Sequence, residues 1–384
     1  MTNDSTSNST PGPVVSGTPP LAPTKPSKFY SPQVDILKAL AIIFVVAFHF
    51  FPGALGWHLK VMPPGWFENY WHQPNANMLQ FLESYLYLGV NFFVITSGFG
   101  LYLSYLKSAK PLNLKEFFQK RVLRLMPAAI LSIVIIFLVK GLFLHQWVTQ
   151  NFLLNLFPFL GGLNLFSDNW FFPPINGEMW FLGLIIQLYL FFPLLLWLYQ
   201  KVGEKKFLIL LLAISVVFRA LYYLFLKDGF TSLSYGLSLG RLFEFGFGMV
   251  LAKNFVDKNS QKSLSPWWLL GLPFGLAYFW PWSFPFADGL VGVGFFTLIW
   301  LIVAKFPPHS WWGKIAAQSY LIFLLHHPFI WILEGLGFHD EWSLVGLLVF
   351  ALFFTFSYGL AKAAQWILDG IDQLSNRFTA KQQR

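Results

Sequence analysis

A titratable side chain interrupts the first long apolar run of the sequence. His49 follows the wholly apolar stretch 39–48 and precedes Phe50 and Phe51. An imidazole can gain and lose a proton near neutral pH, which is the property that proton-transfer chemistry requires. A ring of this kind inside an apolar run needs either a structural hydrogen-bonding partner or a function, so His49 is the first candidate for chemistry.

A lysine shares a helix face with this histidine. Lys38 lies eleven positions before His49, which is close to three whole turns of an α-helix, so the two side chains would lie roughly 16 Å apart on one face. Asp35 lies three positions before Lys38, a spacing at which the two can form an ion pair. The spacing therefore predicts a polar stripe with an ion pair at one end and an imidazole at the other.

Other ionisable residues lie within later apolar runs. Charge in lipid is costly, so such residues usually face a cavity or one another and often carry function. They are Arg219, Arg241, Glu244, His326 and His327, and Glu178 lies at the start of a further run. We expect most of them to converge with His49 on one polar cavity that opens outward.

The arginines among them also have a structural interpretation. Arg241 and Glu244 are three residues apart, so they can form a self-contained ion pair that only joins helices. Arg219 can likewise pair with Glu244 or with a backbone carbonyl. Both interpretations stay open at the level of the sequence.

Glu178 and the two adjacent histidines have structural alternatives as well. Glu178 can serve only to stabilise the first turn of its helix, where acidic residues are favoured. Of His326 and His327, which precede Pro328, one is expected to be a hydrogen-bond donor in helix packing.

Two arginines mark the start of the third apolar run. Arg121 and Arg124 follow Lys120, and cations at this position are expected from the positive-inside rule alone. A second interpretation is a phosphate clamp, because arginine presents a planar set of donors and a helix N-terminus favours anions.

Composition places the chain in a membrane. Of its 384 residues 56% are hydrophobic and only 11% are charged, against about 25% charged residues in soluble domains. The net charge of +9 does not indicate nucleic-acid binding, because the cations fall in short segments between apolar runs. The absence of cysteine excludes disulfides, thiolate metal sites and a cysteine nucleophile. No metal-ligand spacing is present, and we predict no metal and no permanently bound cofactor.

The apolar runs predict the topology. There are eleven, at about 34–57, 79–106, 122–144, 152–166, 178–200, 207–226, 233–253, 266–281, 286–306, 314–335 and 343–369. If 152–166 does not cross and the N-terminus is cytoplasmic, inside segments hold 19 Lys and Arg residues and outside loops hold two. The positive-inside rule therefore favours an all-α polytopic protein with ten transmembrane helices and both termini cytoplasmic. Residues 145–177 would be external, with 152–166 interfacial.

The flanking segments differ in composition from this core. Residues 1–28 are rich in Ser, Thr and Pro, which predicts a disordered cytoplasmic tail. Residues 371–384 are predicted as a basic cytoplasmic tail. The intervening region, 31–370, is predicted as one transmembrane domain of the plasma or inner membrane.

Six blocks in this region resemble the acyltransferase 3 family, whose members are membrane O-acyltransferases that modify cell-envelope sugars. In order, the blocks are Asp35 to Ala41 followed by His49, Gly89 to Phe99, Lys120 to Pro127, Trp180 to Pro193, Arg241 to Met249, and Ser319 to His326. The sequence departs from the family in two places. Lys38 stands where the family usually has arginine, and Ile185 stands where many sugar O-acetylating members have glutamate.

The resemblance implies acyl transfer from cytoplasmic acyl-CoA, with acetyl-CoA as the expected co-substrate. The acceptor would be a hydroxyl of an outward-facing glycan or lipid-linked sugar. His49 would be the base, on the polar stripe with Lys38 and Asp35. Residues expected to contact the donor are Arg121, Arg124 and Ser97, and those expected to contact the acceptor are Glu178, Arg241, Glu244 and His326. The alternative is a non-catalytic exporter of a glycan or small polar solute through the same cavity. The sequence does not indicate the oligomeric state.

Overall fold

A computed structural model of the chain describes residues 31–51, 84–108, 110–143, 145, 177–225, 237–258, 264–279, 284–307, 309–336 and 343–382. Every regular element in these ranges is helical. The predicted all-α class is therefore confirmed for the described part. The tail 1–28 and the segment 152–166 lie outside the described residues.

The described ranges form nine α-helices and four 3₁₀-helices. The α-helices are α1 Pro32–Phe50, α2 Gly89–Ser108, α3 Leu114–Phe143, α4 Trp180–Val202, α5 Glu204–Phe225, α6 Leu242–Lys258, α7 Phe284–Val303, α8 Ser310–Gly335 and α9 Leu344–Gln382. The 3₁₀-helices are Ser84–Leu88, Gly177–Met179, Ser238–Arg241 and Pro266–Phe279. Helix α9 runs without a break through most of the segment predicted as a basic tail.

Six helices in the described ranges are long and apolar enough to cross a membrane. They are Pro32–Phe50, Tyr85–Ser108, Leu114–Phe143, Trp180–Val202, Ser310–Gly335 and Leu344–Gln373. Asp288–Val303 is a shorter apolar helix. The chain is thus a multi-pass membrane protein, while the total of ten spans and the sides of the termini stay predictions.

One predicted span takes an unexpected helical form. The run 266–281 contains Pro273, and the structure forms the 3₁₀-helix Pro266–Phe279 there. A 3₁₀-helix rises about 2.0 Å per residue, so these 14 residues extend about 28 Å. That length nearly matches the hydrocarbon core of a bilayer, which is about 30 Å thick.

Helices α2 and α6 pack with their backbones in contact. A Cβ atom on Gly98 would lie 2.0 Å from the carbonyl oxygen of Phe245, and one on Gly248 would lie 2.0 Å from that of Ile95. No side chain fits at such distances. Small residues at helix crossings are typical of membrane bundles, where close backbone approach provides the packing energy.

Helix α1 lies inside the bundle, between α2 and α8. Its buried residues include Leu37, Ala41, Val46 and Phe50. By contrast, α3, α5 and α9 expose large apolar side chains, as expected of surfaces that face lipid; examples are Leu123, Ile209 and Leu352. The helix that carries Lys38 and His49 is therefore shielded along most of its length.

Candidate functional site

Four side chains meet near one end of the bundle. His49 lies at the end of α1, Glu178 in the 3₁₀ turn before α4, and His326 and His327 within α8. The Nε2 atom of His49 is 3.2 Å from Glu178 Oε1, and its Nδ1 atom is 3.2 Å from His326 Nε2. His327 Nδ1 is 2.7 Å from the same Glu178 oxygen. We call these four residues the imidazole cluster.

The hydrogen-bond partners of His326 set the proton positions in this cluster. His326 Nδ1 lies 2.9 Å from the carbonyl oxygen of Phe323 and 3.1 Å from that of Ile322. Carbonyl oxygens only accept, so Nδ1 carries the hydrogen and a neutral His326 presents a bare Nε2. His49 must then donate from Nδ1 to His326, which leaves His49 Nε2 as the basic nitrogen.

The carboxylate of Glu178 faces this basic nitrogen of His49. Only 3% of Glu178 is exposed, and His327 donates to it from Nδ1. A proton added to His49 Nε2 would complete a hydrogen bond to Glu178, so the carboxylate stabilises the protonated imidazole. Burial raises the pKa of the Glu178 carboxyl, but the neighbouring His49 and His327 outweigh this effect and hold the pKa below its usual value.

The same four residues are also the described group able to hold a metal ion. One ligand atom from each lies within 4.8 Å of all the others, and histidine and carboxylate are zinc ligands. Two of the contacts between them are hydrogen bonds, from His49 to His326 and from His327 to Glu178. The expectation that no metal is used therefore stays a prediction.

A cavity of about 440 Å³ lies on the side of the bundle toward the start of α1. It is lined by the residues predicted near the donor and by those at the ion-pair end of the polar stripe: Asp35, Lys38, Ser97, Arg121 and Arg124. Asp35 and Lys38 line the cavity together and attract each other electrostatically, while a direct ion pair between them stays a prediction. Three cations and one carboxylate give this surface an excess of positive charge, which suits an anionic ligand.

Aromatic rings hold one of these cations in place. The guanidinium carbon of Arg121 lies 5.5 Å from the ring centre of Phe117 and 5.7 Å from that of Tyr189. The Nε atom of Arg121 is buried without a hydrogen-bond partner in the described structure. Stacking fixes the plane of the guanidinium while leaving donor capacity for a ligand.

A second charged cluster is built differently. Arg241 Nη1 is 3.1 Å from Glu244 and 2.7 Å from Asp288, and Arg219 Nη2 is 3.1 Å from both carboxylates. All four side chains are at most 5% exposed. We call them the arginine cluster. It balances two positive with two negative charges.

The arginine cluster favours the structural interpretation of its residues, while the predicted contact of Arg241 and Glu244 with the acceptor stays a prediction. Neither residue lines the cavity described above. Their described ionic partners are each other, Arg219 and Asp288, as in the structural alternative. Arg219 also donates to the carbonyl oxygen of Gly240.

Sequence reasoning did not identify every member of these sites. Asp288 and Asn91, whose Nδ2 lies 3.4 Å from Asp288 Oδ1, were not considered. Asp288 stands alone in an apolar run, which is the signal that was overlooked. His327 was considered only beside His326, and neighbours on a helix point in different directions, so its contact with Glu178 could not be inferred.

Comparison with known proteins agrees with the residue blocks. The profile of the acyltransferase 3 family, described as an acyltransferase domain, matches residues 31–362. The peptidoglycan O-acetyltransferase OatA of Listeria monocytogenes is 25% identical over 206 residues. The match covers 50% of this chain and 28% of that relative. No solved structure matches the chain.

Proposed function

Because the chain belongs to the acyltransferase 3 family, we propose that it moves an acyl group from acyl-CoA to a hydroxyl of an extracytoplasmic glycan or lipid-linked sugar. One observation carries the proposal. His49 has a basic nitrogen defined by His326 and a buried carboxylate, Glu178, 3.2 Å from that nitrogen. His326 orients the imidazole ring, and the carboxylate stabilises the imidazolium that forms when Nε2 takes a proton.

The reaction balances with His49 as the proton carrier. Nε2 takes the proton of the acceptor hydroxyl as the oxygen attacks the thioester carbonyl. The C–O ester bond forms and the C–S bond breaks. The proton on His49 then passes to the sulfur, giving free CoA thiol. His49 is the most accessible of the residues in this step, with 12% of its side chain exposed against 5% for Glu178.

His326 and Glu178 act on the base from opposite sides. His326 accepts from His49 Nδ1 and thereby directs proton uptake to Nε2. Glu178 pairs with the imidazolium that forms when Nε2 takes the proton. His327 holds Glu178 in place through the bond of 2.7 Å. Glu178, predicted as an acceptor contact, is therefore better assigned as the partner of the base.

The donor is assigned to the cavity at the opposite end of α1. Lys38, Arg121 and Arg124 line it, and their charges suit the phosphates of CoA. Ser97 lines the same cavity and can donate a hydrogen bond to the extended arm of the donor. The positive-inside count places this end in the cytoplasm, where acyl-CoA is available.

The acceptor class follows from the location of the base. Under the ten-span topology with both termini cytoplasmic, His49 lies in the outer half of the membrane. OatA is a peptidoglycan O-acetyltransferase by name, so we assign a cell-envelope glycan as acceptor and acetyl as the transferred group. The plasma or inner membrane is the corresponding location.

Replacement of the base tests the proposal. His49→Gln should give a folded, membrane-inserted protein that leaves envelope glycans without the acyl group, as measured by mass analysis of glycans from cells with each variant. The matched control is His309→Ser, which removes an exposed histidine but keeps a residue able to cap α8. Acylation that persists in His49→Gln would contradict the assignment. Loss of exported, unmodified glycan would instead favour the exporter.

A further inference from the structure

Three phenylalanine rings separate the donor cavity from the imidazole cluster. Phe93 of α2, Phe181 of α4 and Phe323 of α8 all line the cavity, and each is at most 8% exposed. Their ring centres are 4.9, 5.9 and 6.1 Å apart, so the rings form a closed triangle. We call it the phenylalanine triangle.

Each ring is the last cavity-lining residue of its helix in the direction of His49. On α2 the lining residues recur as Phe93, Ser97, Gly100 and Ser104, which is one helix face. On α4 they include Phe181, Ile185 and Tyr189, and on α8 they include Phe323, Tyr320, Ala316 and Gly313. The triangle therefore closes the cavity at one level on all three helices.

The imidazole cluster begins one turn beyond this level. Phe181 lies three residues after Glu178 and Phe323 three residues before His326. The rings of Phe323 and His326 are 6.0 Å apart, and Phe323 provides a carbonyl oxygen to His326. In the described part of the chain, none of the four residues of the cluster lines the cavity. An acyl group that enters from the cavity must pass the three rings to meet His49.

We propose that the phenylalanine triangle is an acyl-length filter that admits acetyl and rejects longer chains. This inference rests on the proposed function. The rings are apolar and sit on three packed helices, so the width of the passage is set by ring volume. One methylene in such a restricted apolar site typically changes selectivity by about 10- to 200-fold. Two extra methylenes, as in butyryl, should therefore be strongly disfavoured.

Selectivity of the purified full-length protein tests the filter. Phe93→Leu and Phe181→Leu should each raise the ratio of butyryl to acetyl transfer at least tenfold, measured with butyryl-CoA, acetyl-CoA and soluble peptidoglycan fragments. The matched control is Phe92→Leu. Phe92 is fully buried and packs against Phe44 and Phe296, away from the cavity, so its ratio should stay within twofold of wild type. An unchanged ratio in both filter variants, or an equal rise in Phe92→Leu, overturns the proposal.

A labelling measurement is independent of catalysis. The chain has no cysteine, so His49→Cys introduces a single thiol beyond the triangle. The reagents are added to inside-out vesicles whose lumen contains glutathione, which quenches any reagent that approaches from the acceptor side. N-hexylmaleimide should label it at least ten times more slowly than N-methylmaleimide. The ratio of the two labelling rates should fall when Phe181→Leu is added to His49→Cys. It should be unchanged when Phe92→Leu is added instead.

An equal ratio of labelling rates in His49→Cys alone, with Phe181→Leu and with Phe92→Leu overturns the filter, whether or not CoA is the donor. Absence of transfer from acetyl-CoA by the wild-type protein, together with the expected labelling pattern, overturns the proposed function and leaves the filter in place. The two ideas can therefore fail separately.

Discussion

Two buried clusters in this membrane bundle are both rich in ionisable groups, yet they are suited to opposite tasks. The arginine cluster pairs two guanidinium groups with two carboxylates at 2.7 to 3.1 Å. Arginine does not lose its proton in proteins, so the two guanidinium groups of this cluster cannot exchange protons with a substrate. The imidazole cluster joins three titratable rings to one carboxylate at similar distances.

This difference helps to distinguish charged residues that stabilise a membrane protein from charged residues that take part in a reaction. Both clusters satisfy the rule that buried charge must be paired. Only the imidazole cluster can accept a proton from a substrate and release it again near neutral pH. Only the imidazole cluster also lies next to the rings that close the donor cavity. Variants of the imidazole cluster should therefore reduce the catalytic rate, and variants of the arginine cluster should reduce stability.

The largest effect is expected in the imidazole cluster. Glu178→Gln keeps the size of the side chain but removes the charge that stabilises protonated His49. Because positive charge develops on His49 as it takes the proton, kcat should fall about 10²- to 10⁴-fold, the usual contribution of a general base. Initial rates at saturating donor measure this, and thermal denaturation should show little change. Activity within tenfold of wild type would remove Glu178 from the reaction.

The corresponding change in the arginine cluster should damage stability instead. Arg241→Met leaves two buried carboxylates with one arginine, and breaking a buried pair in this way costs about 3–5 kcal/mol. Denaturation of the detergent-solubilised protein measures the loss, while kcat of the folded fraction should stay within threefold. A large fall in kcat with unchanged stability would restore Arg241 as a substrate contact.

A compensating change should sharpen the contrast. Adding Asp288→Asn to Arg241→Met removes one charge of each sign and leaves Arg219 paired with Glu244. The double variant should be more stable than the sum of the single effects by about 1–3 kcal/mol. In the imidazole cluster, His327→Gln added to Glu178→Gln should recover no activity. Strict additivity in the arginine cluster would argue against charge balance as its organising feature.

The smallest effect is expected at the mouth of the donor cavity. Arg124 is exposed, so Arg124→Gln should raise KM for acyl-CoA about tenfold, equivalent to about 1.4 kcal/mol. Because this contact is distant from the reacting atoms, kcat should be unchanged. The control is Lys253→Gln, which alters an exposed lysine paired with Asp257. Equal KM changes in both variants would indicate only a general charge effect.

Much of the fold could be predicted because its signals are local. Helical spans follow from composition and from apolar runs, and α4, α5, α7 and α8 begin and end within about four residues of the predicted runs. The 3₁₀ form of Pro266–Phe279 could not be predicted from the sequence, because the choice between helix types depends on how closely the neighbouring α7 approaches. A Cβ on Gly271 would lie 2.1 Å from the carbonyl oxygen of Leu290.

The sequence predicts which site residues share a face of one helix, but not which residues of different helices come into contact. The common face of Lys38 and His49 follows from helical periodicity. The separation of Arg241 from His326 does not, because it depends on the order in which helices pack around α1. Glu178 shows the same limit, since its sequence neighbours suggest a cap while its contacts are imidazoles from α1 and α8.

Helix α1 also fixes the distance between the two ends of the site. Lys38 lines the donor cavity while His49 carries the basic nitrogen, and the rigid turns between them fix the distance from a phosphate contact to the point of transfer. Adding one residue between the two would rotate His49 by about 100° and move it about 1.5 Å along the axis. If acyl-CoA is the donor, as proposed, the length of its flexible arm must match this number of helical residues, and a donor with a shorter arm would bind without delivering its acyl group.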